Sequence, residues 1–128
     1  LAHNKKLFKA YGNLFRLASQ ETYEAYDKIN GPLKVGVWTT CAINFNWGAM
    51  KAHKDKDDYR HGFCFIIPFG RFQGGELHFP ELNITIKIKP RMVIAFKSAE
   101  LLHEVLPYTG DKYSLVLFTP QTCFFPMV

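Results

Sequence analysis

The hydrophobic period of this chain changes at Asn30-Gly31-Pro32, and that change limits what it can fold into. Upstream, Leu7, Phe8, Tyr11, Leu14 and Phe15 recur at three- and four-residue spacing, which predicts a helix with one apolar face. A second, shorter helix is predicted over residues 20–29, stopped by Gly31 and Pro32, because glycine serves a helix C-terminus and proline cannot continue one. Downstream the period is two. Val35, Val37 and Thr39 alternate with Gly36 and Trp38. Cys41, Ile43, Phe45 and Trp47 then share one side of a strand, with Ala42, Asn44 and Asn46 on the other, facing the interior.

Short apolar runs follow at regular intervals. Residues 63–67 read as a near-continuous apolar strand, 69–75 as a turn region, and 76–79 as a short strand broken by Pro80. Ile84, Ile86 and Ile88 alternate with Thr85, Lys87 and Lys89, the pattern of a half-exposed strand. Pro90-Arg91 predicts a turn, 92–96 a strand, and 113–118 a last strand ending at Pro120. Many short strands with turns between them predict a sandwich or barrel. The expected class is mainly β, an α+β chain with short N-terminal helices packed on one face. At 128 residues and 14.8 kDa the chain is the size of one domain. Residues 1–31 are expected to form helical support and 33–120 the β core. Leu1 is not a methionine, which leaves open a longer natural N-terminus.

Composition narrows the function classes. Hydrophobic residues at 48% and charged residues at 21% exclude a disordered chain. No run of about 18 apolar residues is present, so no membrane span is expected. The three cysteines, Cys41, Cys64 and Cys123, are odd in number and widely spaced, against a disulfide framework or a cysteine zinc site. No secretory signal is visible, so an intracellular, reducing compartment is expected. The net charge of +5 suits an anionic partner such as nucleic acid, although many basic proteins bind none.

Three groups of residues could carry chemistry. In His53-Lys54-Asp55 an extended backbone projects imidazole and carboxylate to the same face, where both can grip one metal ion. A solvated charged loop is the plainer alternative, since Lys54, Lys56, Asp57 and Asp58 surround the pair. His103, within Leu101-Leu102-His103-Glu104-Val105, reads alone as a packed core histidine. Joined to His53 and Asp55 it completes two imidazoles and one carboxylate, a set that leaves three coordination positions open, as in non-haem Fe(II) oxygenases. The absence of thiolate argues against structural zinc. Lys112 and Ser114 share one face of the last strand. On an apolar wall such an ammonium needs an anionic partner, whereas at a strand start it would simply sit in water. His3, His61 and His78 read as non-ligands, and Cys64 and Cys123 as core.

Taken together, His53-x-Asp55, the distal His103 and the basic Lys112 nine residues later resemble the Fe(II)/2-oxoglutarate-dependent dioxygenases. Gly74-Gly75-Glu76-Leu77 followed by Pro80 is similar to a turn phrase of that superfamily. Within it, the chain most resembles the TET/JBP-type enzymes, especially the short fungal members, over about residues 35–120. The phrases that carry this are His53-Lys54-Asp55-Lys56-Asp57-Asp58, the run from Ile67-Pro68-Phe69 to Glu76-Leu77, Phe96-Lys97-Ser98, and Lys112-Tyr113-Ser114-Leu115-Val116. Cys41-Ala42-Ile43-Asn44 is also similar to a segment of the AlkB-like nucleic-acid demethylases.

The resemblance implies a double-stranded β-helix of jelly-roll or cupin-like form. It implies Fe(II), 2-oxoglutarate and O2 as cofactor and cosubstrates, with ascorbate stimulating. His53, Asp55 and His103 would be the metal-binding and catalytic set. Lys112 and Ser114 would hold the far carboxylate of 2-oxoglutarate, with Asn44 hydrogen-bonding to it or supporting the site. The implied reaction is hydroxylation of a C–H bond, on the methyl group of a 5-methylpyrimidine (5-methylcytosine or thymine) in nucleic acid. Asp57 or Asp58 would read a base amino group, unless both are solvated loop charges, and Trp47 or Tyr59 would be placed to stack on a flipped base. A nuclear location goes with a DNA substrate and a cytoplasmic one otherwise. A prolyl or other peptidyl hydroxylase, and an inactive barrel used as a binding module, are the alternatives. This sequence departs from its relatives at three places. Lys112 stands where many have Arg, a point charge in place of a bidentate fork. Pro90-Arg91-Met92 replaces a Pro-Gly-Asp turn, and Pro120 occupies the place of a base-contacting His.

Overall fold

The computed structural model describes residues 2–29, 34–46 and 48–124. The first helix, α1, runs Ala2–Ala18. Its buried stripe is narrower than the sequence pattern suggests. Tyr11 and Phe15 are buried and Phe8 packs beside them, while Leu7 and Leu14 are 41% and 45% exposed. The second, α2, spans Gln20–Asp27 and is N-capped by Ser19, whose Oγ accepts from the Thr22 N–H at 3.3 Å. The predicted stop at Asn30-Gly31-Pro32 lies outside the described residues, as does Trp47.

Among the described residues eight strands follow: β1 Thr40–Phe45, β2 Met50–His53, β3 Cys64–Gly74, β4 Leu77–Phe79, β5 Ile84–Ile86, β6 Ile94–Phe96, β7 His103–Val105 and β8 Tyr108–Phe118. They form two four-stranded antiparallel sheets, in the order β1-β8-β3-β6 and β2-β7-β4-β5. Alternation of side chains divides the work of the first sheet. One face carries Phe65, Ile67 and Leu117 against Tyr11, Phe15, Tyr26 and Trp38. Phe15 sits at the centre of this cluster, with ring centroids 4.9 Å from Tyr26 and 5.3 Å from Phe65. The other face carries Ala42, Asn44, Ile66, Lys112, Ser114 and Val116 into a cavity shared with the second sheet. A second apolar cluster, of Cys64, Leu77, Phe79, Ile88, Ile94 and Phe96, closes the space between the sheets.

Several sequence expectations are corrected here. Val35 to Thr39 is not a strand: a Val35–Trp38 bridge closes a tight turn, which lets both Val37 and Trp38 be buried. The supposed turn at 69–75 is mostly strand, since β3 runs unbroken to Gly74, opposite Tyr108. Gly70 marks a close backbone approach there. Its φ is +108°, and a Cβ would sit 2.2 Å from the Asp111 carbonyl oxygen. β5 is shorter than its isoleucine alternation predicts, with Ile84 46% exposed and Ile88 buried beyond its end. β8 begins five residues earlier than expected, at Tyr108. Among the described residues, no helix is long and apolar enough to cross a membrane.

Candidate metal centre

The two short strands β2 and β7 pair so that His53 and His103 stand directly opposite each other. Cross-strand neighbours in that relation bring side chains within contact, and the ring centroids are 4.5 Å apart. Asp55 lies just past the end of β2, where its backbone N–H donates to the Ser98 carbonyl at 2.9 Å. Its carboxylate meets both rings, Oδ1 at 3.4 Å from His53 Nε2 and Oδ2 at 3.4 Å from His103 Nε2. One ligand atom from each of the three residues falls within a 4.8 Å cluster.

The tautomers are fixed from behind. His53 Nδ1 lies 2.8 Å from the Lys51 carbonyl oxygen, and His103 Nδ1 lies 2.7 Å from that of Leu101. A carbonyl can only accept, so each Nδ1 carries a proton and each Nε2 is turned toward Asp55, donating to its carboxylate when the ring is protonated and free to ligate a metal when it is not. His103 is buried, packed 4.8 Å from the Phe96 ring. Burial is the largest single influence on it and opposes protonation. The hydrogen bonds to Asp55 and the Leu101 carbonyl, with the charges of Asp55 and Asp58, together outweigh burial and raise its pKa. Two imidazoles and one carboxylate without a thiolate suit a borderline divalent ion such as Fe(II), and three donors leave positions for other ligands. The donor set therefore fits a non-haem ferrous ion.

A cavity of about 620 Å³ opens on this cluster. Asn44, Lys112 and Ser114 line it, as do Asp57 and Asp58, so these five meet His53, Asp55 and His103 at one cavity. Lys112 is only 7% exposed, which removes the reading of a solvated strand-start lysine. Burial lowers its pKa, and the Glu76 carboxylate partly offsets that. Its Nζ donates to the Gly75 carbonyl at a long 3.4 Å and lies 5.3 Å from the Tyr108 ring and 5.6 Å from that of Phe72. An ammonium so buried, with one long hydrogen bond, favours a carboxylate beside it.

Asp58 is half-buried, and its Oδ2 accepts from the Ser98 hydroxyl at 2.7 Å. Burial pushes its carboxyl up to about 6 against the pull of that hydrogen bond. Asp57 is exposed at the rim. Tyr59 faces the other way, stacked 3.7 Å from Phe124 in the helical cluster. His78 pairs with Glu104 at 2.6 Å and His61 rests against Tyr59, so neither joins the metal cluster. Cys64 is buried, as expected, and also lines the cavity. Sequence reading missed the carbonyls of Lys51 and Leu101, because backbone partners leave no residue signature. Ser98 stands in the sequence only as part of the phrase Phe96-Lys97-Ser98, with no sign of its role: its backbone holds Asp55 and its hydroxyl holds Asp58.

Two facing antiparallel sheets with a His-Asp-His cluster at one mouth make a double-stranded β-helix. Among solved structures, NgTET1 in complex with 5mC DNA is similar to this chain with a TM-score of 0.82 and 23% identity, over 92% of this chain and 48% of that one. An oxidoreductase of the 2OG-Fe(II) oxygenase family from Burkholderia pseudomallei is similar with a TM-score of 0.52 and 28% identity, over 61% of this chain and 41% of that one. The chain thus spans less than half the length of either. No protein-family model matches the sequence, and no curated protein does.

Proposed function

We propose that this chain is a single Fe(II)- and 2-oxoglutarate-dependent dioxygenase domain, with residues 1–31 as helical support for a 33–120 core. The observation that carries the reading is the shared cavity, in which the His53, Asp55 and His103 cluster and the buried, under-partnered Lys112 meet. His53, Asp55 and His103 would hold the ferrous ion. Bound Fe(II), with 2-oxoglutarate and O2, supplies the oxidising chemistry that hydroxylates a C–H bond while 2-oxoglutarate becomes succinate and CO2. Lys112 holds the far carboxylate of 2-oxoglutarate by a charge-assisted hydrogen bond, with Ser114 and Asn44 beside it on the same wall. The Lys51 and Leu101 carbonyls accept from the two Nδ1–H groups, so Nε2 of each ring is the atom that would ligate the ion. Apolar residues at the cavity, among them Leu77, Ile88 and Val105, exclude water from the reacting carbon.

For the substrate we infer the methyl group of a 5-methylpyrimidine in nucleic acid. The net charge of +5 and the likeness to NgTET1 in complex with 5mC DNA support it. So does Asp58, an acid placed three residues past Asp55, held by Ser98 and lining the cavity. Pro120 stands where relatives carry a base-contacting histidine, and it forms a backbone bridge with Asp58. Base reading therefore falls to Asp58 in this chain. The test is mass spectrometry of nucleosides after incubation with Fe(II), ascorbate, 2-oxoglutarate and 5-methylcytosine DNA. Hydroxymethylcytosine in step with succinate supports the reading. Succinate formation stimulated by proline-rich peptides and by no methylated nucleic acid would replace it with peptidyl hydroxylation.

A further inference from the structure

Lys112 is held in position by a residue from another strand. Asn46 follows the end of β1 in the left-handed region, at φ +49°, a conformation that asparagine tolerates better than most residues. From there it grips β8 three times. Its backbone N–H donates to the Lys112 carbonyl at 3.0 Å. Its Oδ1 accepts from the Lys112 N–H at 2.8 Å. Its Nδ2 donates to Asp111 Oδ1 at 3.0 Å. Two residues on, the Gly48 N–H donates to the Tyr108 hydroxyl at 3.1 Å, which ties the same turn to a ring that flanks the Lys112 ammonium. Asn46 itself lines the cavity.

The ammonium end has little to fix it. One hydrogen bond at 3.4 Å and two ring faces leave its aim dependent on where the backbone puts the stem. We propose that Asn46 is the positioning residue for Lys112, bracketing its backbone so that the ammonium meets the far carboxylate of the cosubstrate. This rests on the reading of the cavity as a 2-oxoglutarate site. Loss of the Asn46 side chain releases the Lys112 N–H and the Asp111 carboxylate together. Lys112 then samples other directions, and the grip on a dicarboxylate weakens. A ligand that chelates the metal but offers nothing to Lys112 is indifferent to the change.

Anaerobic titration of the Mn(II)-loaded protein with 2-oxoglutarate and, separately, with oxalate tests this. Asn46→Gly keeps the left-handed backbone accessible and removes only the side chain. It is expected to weaken 2-oxoglutarate about tenfold, the effect of one hydrogen-bonded coupling, and to leave oxalate and Mn(II) affinities within about twofold. The exchange Asn46→Asp with Asp111→Asn keeps an acceptor for the Lys112 N–H and restores a cross-strand donor. It is expected to bind 2-oxoglutarate as the natural chain does, while Asn46→Asp alone stays weak. That exchange also decides the matter should Asn46→Gly unfold. Equal loss of 2-oxoglutarate and oxalate in the variants, unchanged 2-oxoglutarate affinity in Asn46→Gly, or failure of the exchange to rescue would overturn the positioning role alone. A natural chain that binds oxalate with Mn(II) but not 2-oxoglutarate would instead overturn the reading of the cavity, and the positioning role with it.

Discussion

At the scale of single residues, burial decides which charged groups matter. Lys112 is buried on a cavity wall where Lys54 and Lys56 are exposed at the mouth, so its charge is directed inward. Lys112→Ala is expected to raise the 2-oxoglutarate concentration needed for half-maximal turnover by about tenfold or more, the scale of one charge-assisted hydrogen bond. The salt dependence of DNA binding should not change, because that slope counts phosphate contacts; a shallower slope in the variant would place Lys112 on the nucleic acid. Asp58 gives a pH prediction. Its carboxyl titrates at about 6 in the folded chain, above the ordinary carboxyl, chiefly through burial. The folded state therefore keeps a proton that the unfolded chain gives up between about pH 4 and about pH 6. More protons bound in the folded state means that stability falls as pH rises through that window. The loss is complete above about pH 6, where Asp58 ionises in both states. Urea midpoints of the metal-free protein across this range should decline less steeply in Asp58→Asn than in the natural chain. Equal slopes would contradict the assignment.

At the scale of elements, two features carry the frame that aims the site. The long β3–β8 ladder depends on Gly70, where a methyl group meets the Asp111 carbonyl and the backbone is left-handed. Gly70→Ala is expected to cost about 2–4 kcal/mol from strain and overpacking, read from denaturant unfolding. Phe15, fully buried where α1 meets the sheet, is expected to cost about 3–5 kcal/mol as Phe15→Ala, with metal affinity at the far face unchanged. These elements also mark how far the sequence could be read. The helices, the existence of a β core and the His53, Asp55, His103 set were legible, because period and residue chemistry are local. Gly70 and Gly74 were read as turn residues, since a glycine demanded by a neighbouring strand looks in sequence like one demanded by a turn. β2 and β7 were not legible as strands. They are four and three residues long, and their pairing follows from the whole fold. The inward aim of Asn44 followed from alternation, but the grip of Asn46 on β8 depends on a register that only the assembled sheet provides.

At the scale of the whole molecule, the double-stranded β-helix separates support from chemistry. One face of the first sheet spends its apolar residues on the helices, and the other turns Asn44, Lys112 and Ser114 toward the strands that carry His53 and His103. In the proposed function this cavity couples a ferrous ion to 2-oxoglutarate. The most direct measurement is succinate formed per 2-oxoglutarate consumed, with and without Fe(II), for the natural chain and for His103→Ala. Iron-dependent, one-to-one conversion in the natural chain, abolished in the variant while its fold is retained by circular dichroism, is the predicted result. Conversion that persists in His103→Ala, or no iron-dependent succinate from the folded natural chain with any methylated nucleic acid or peptide supplied, would contradict the account.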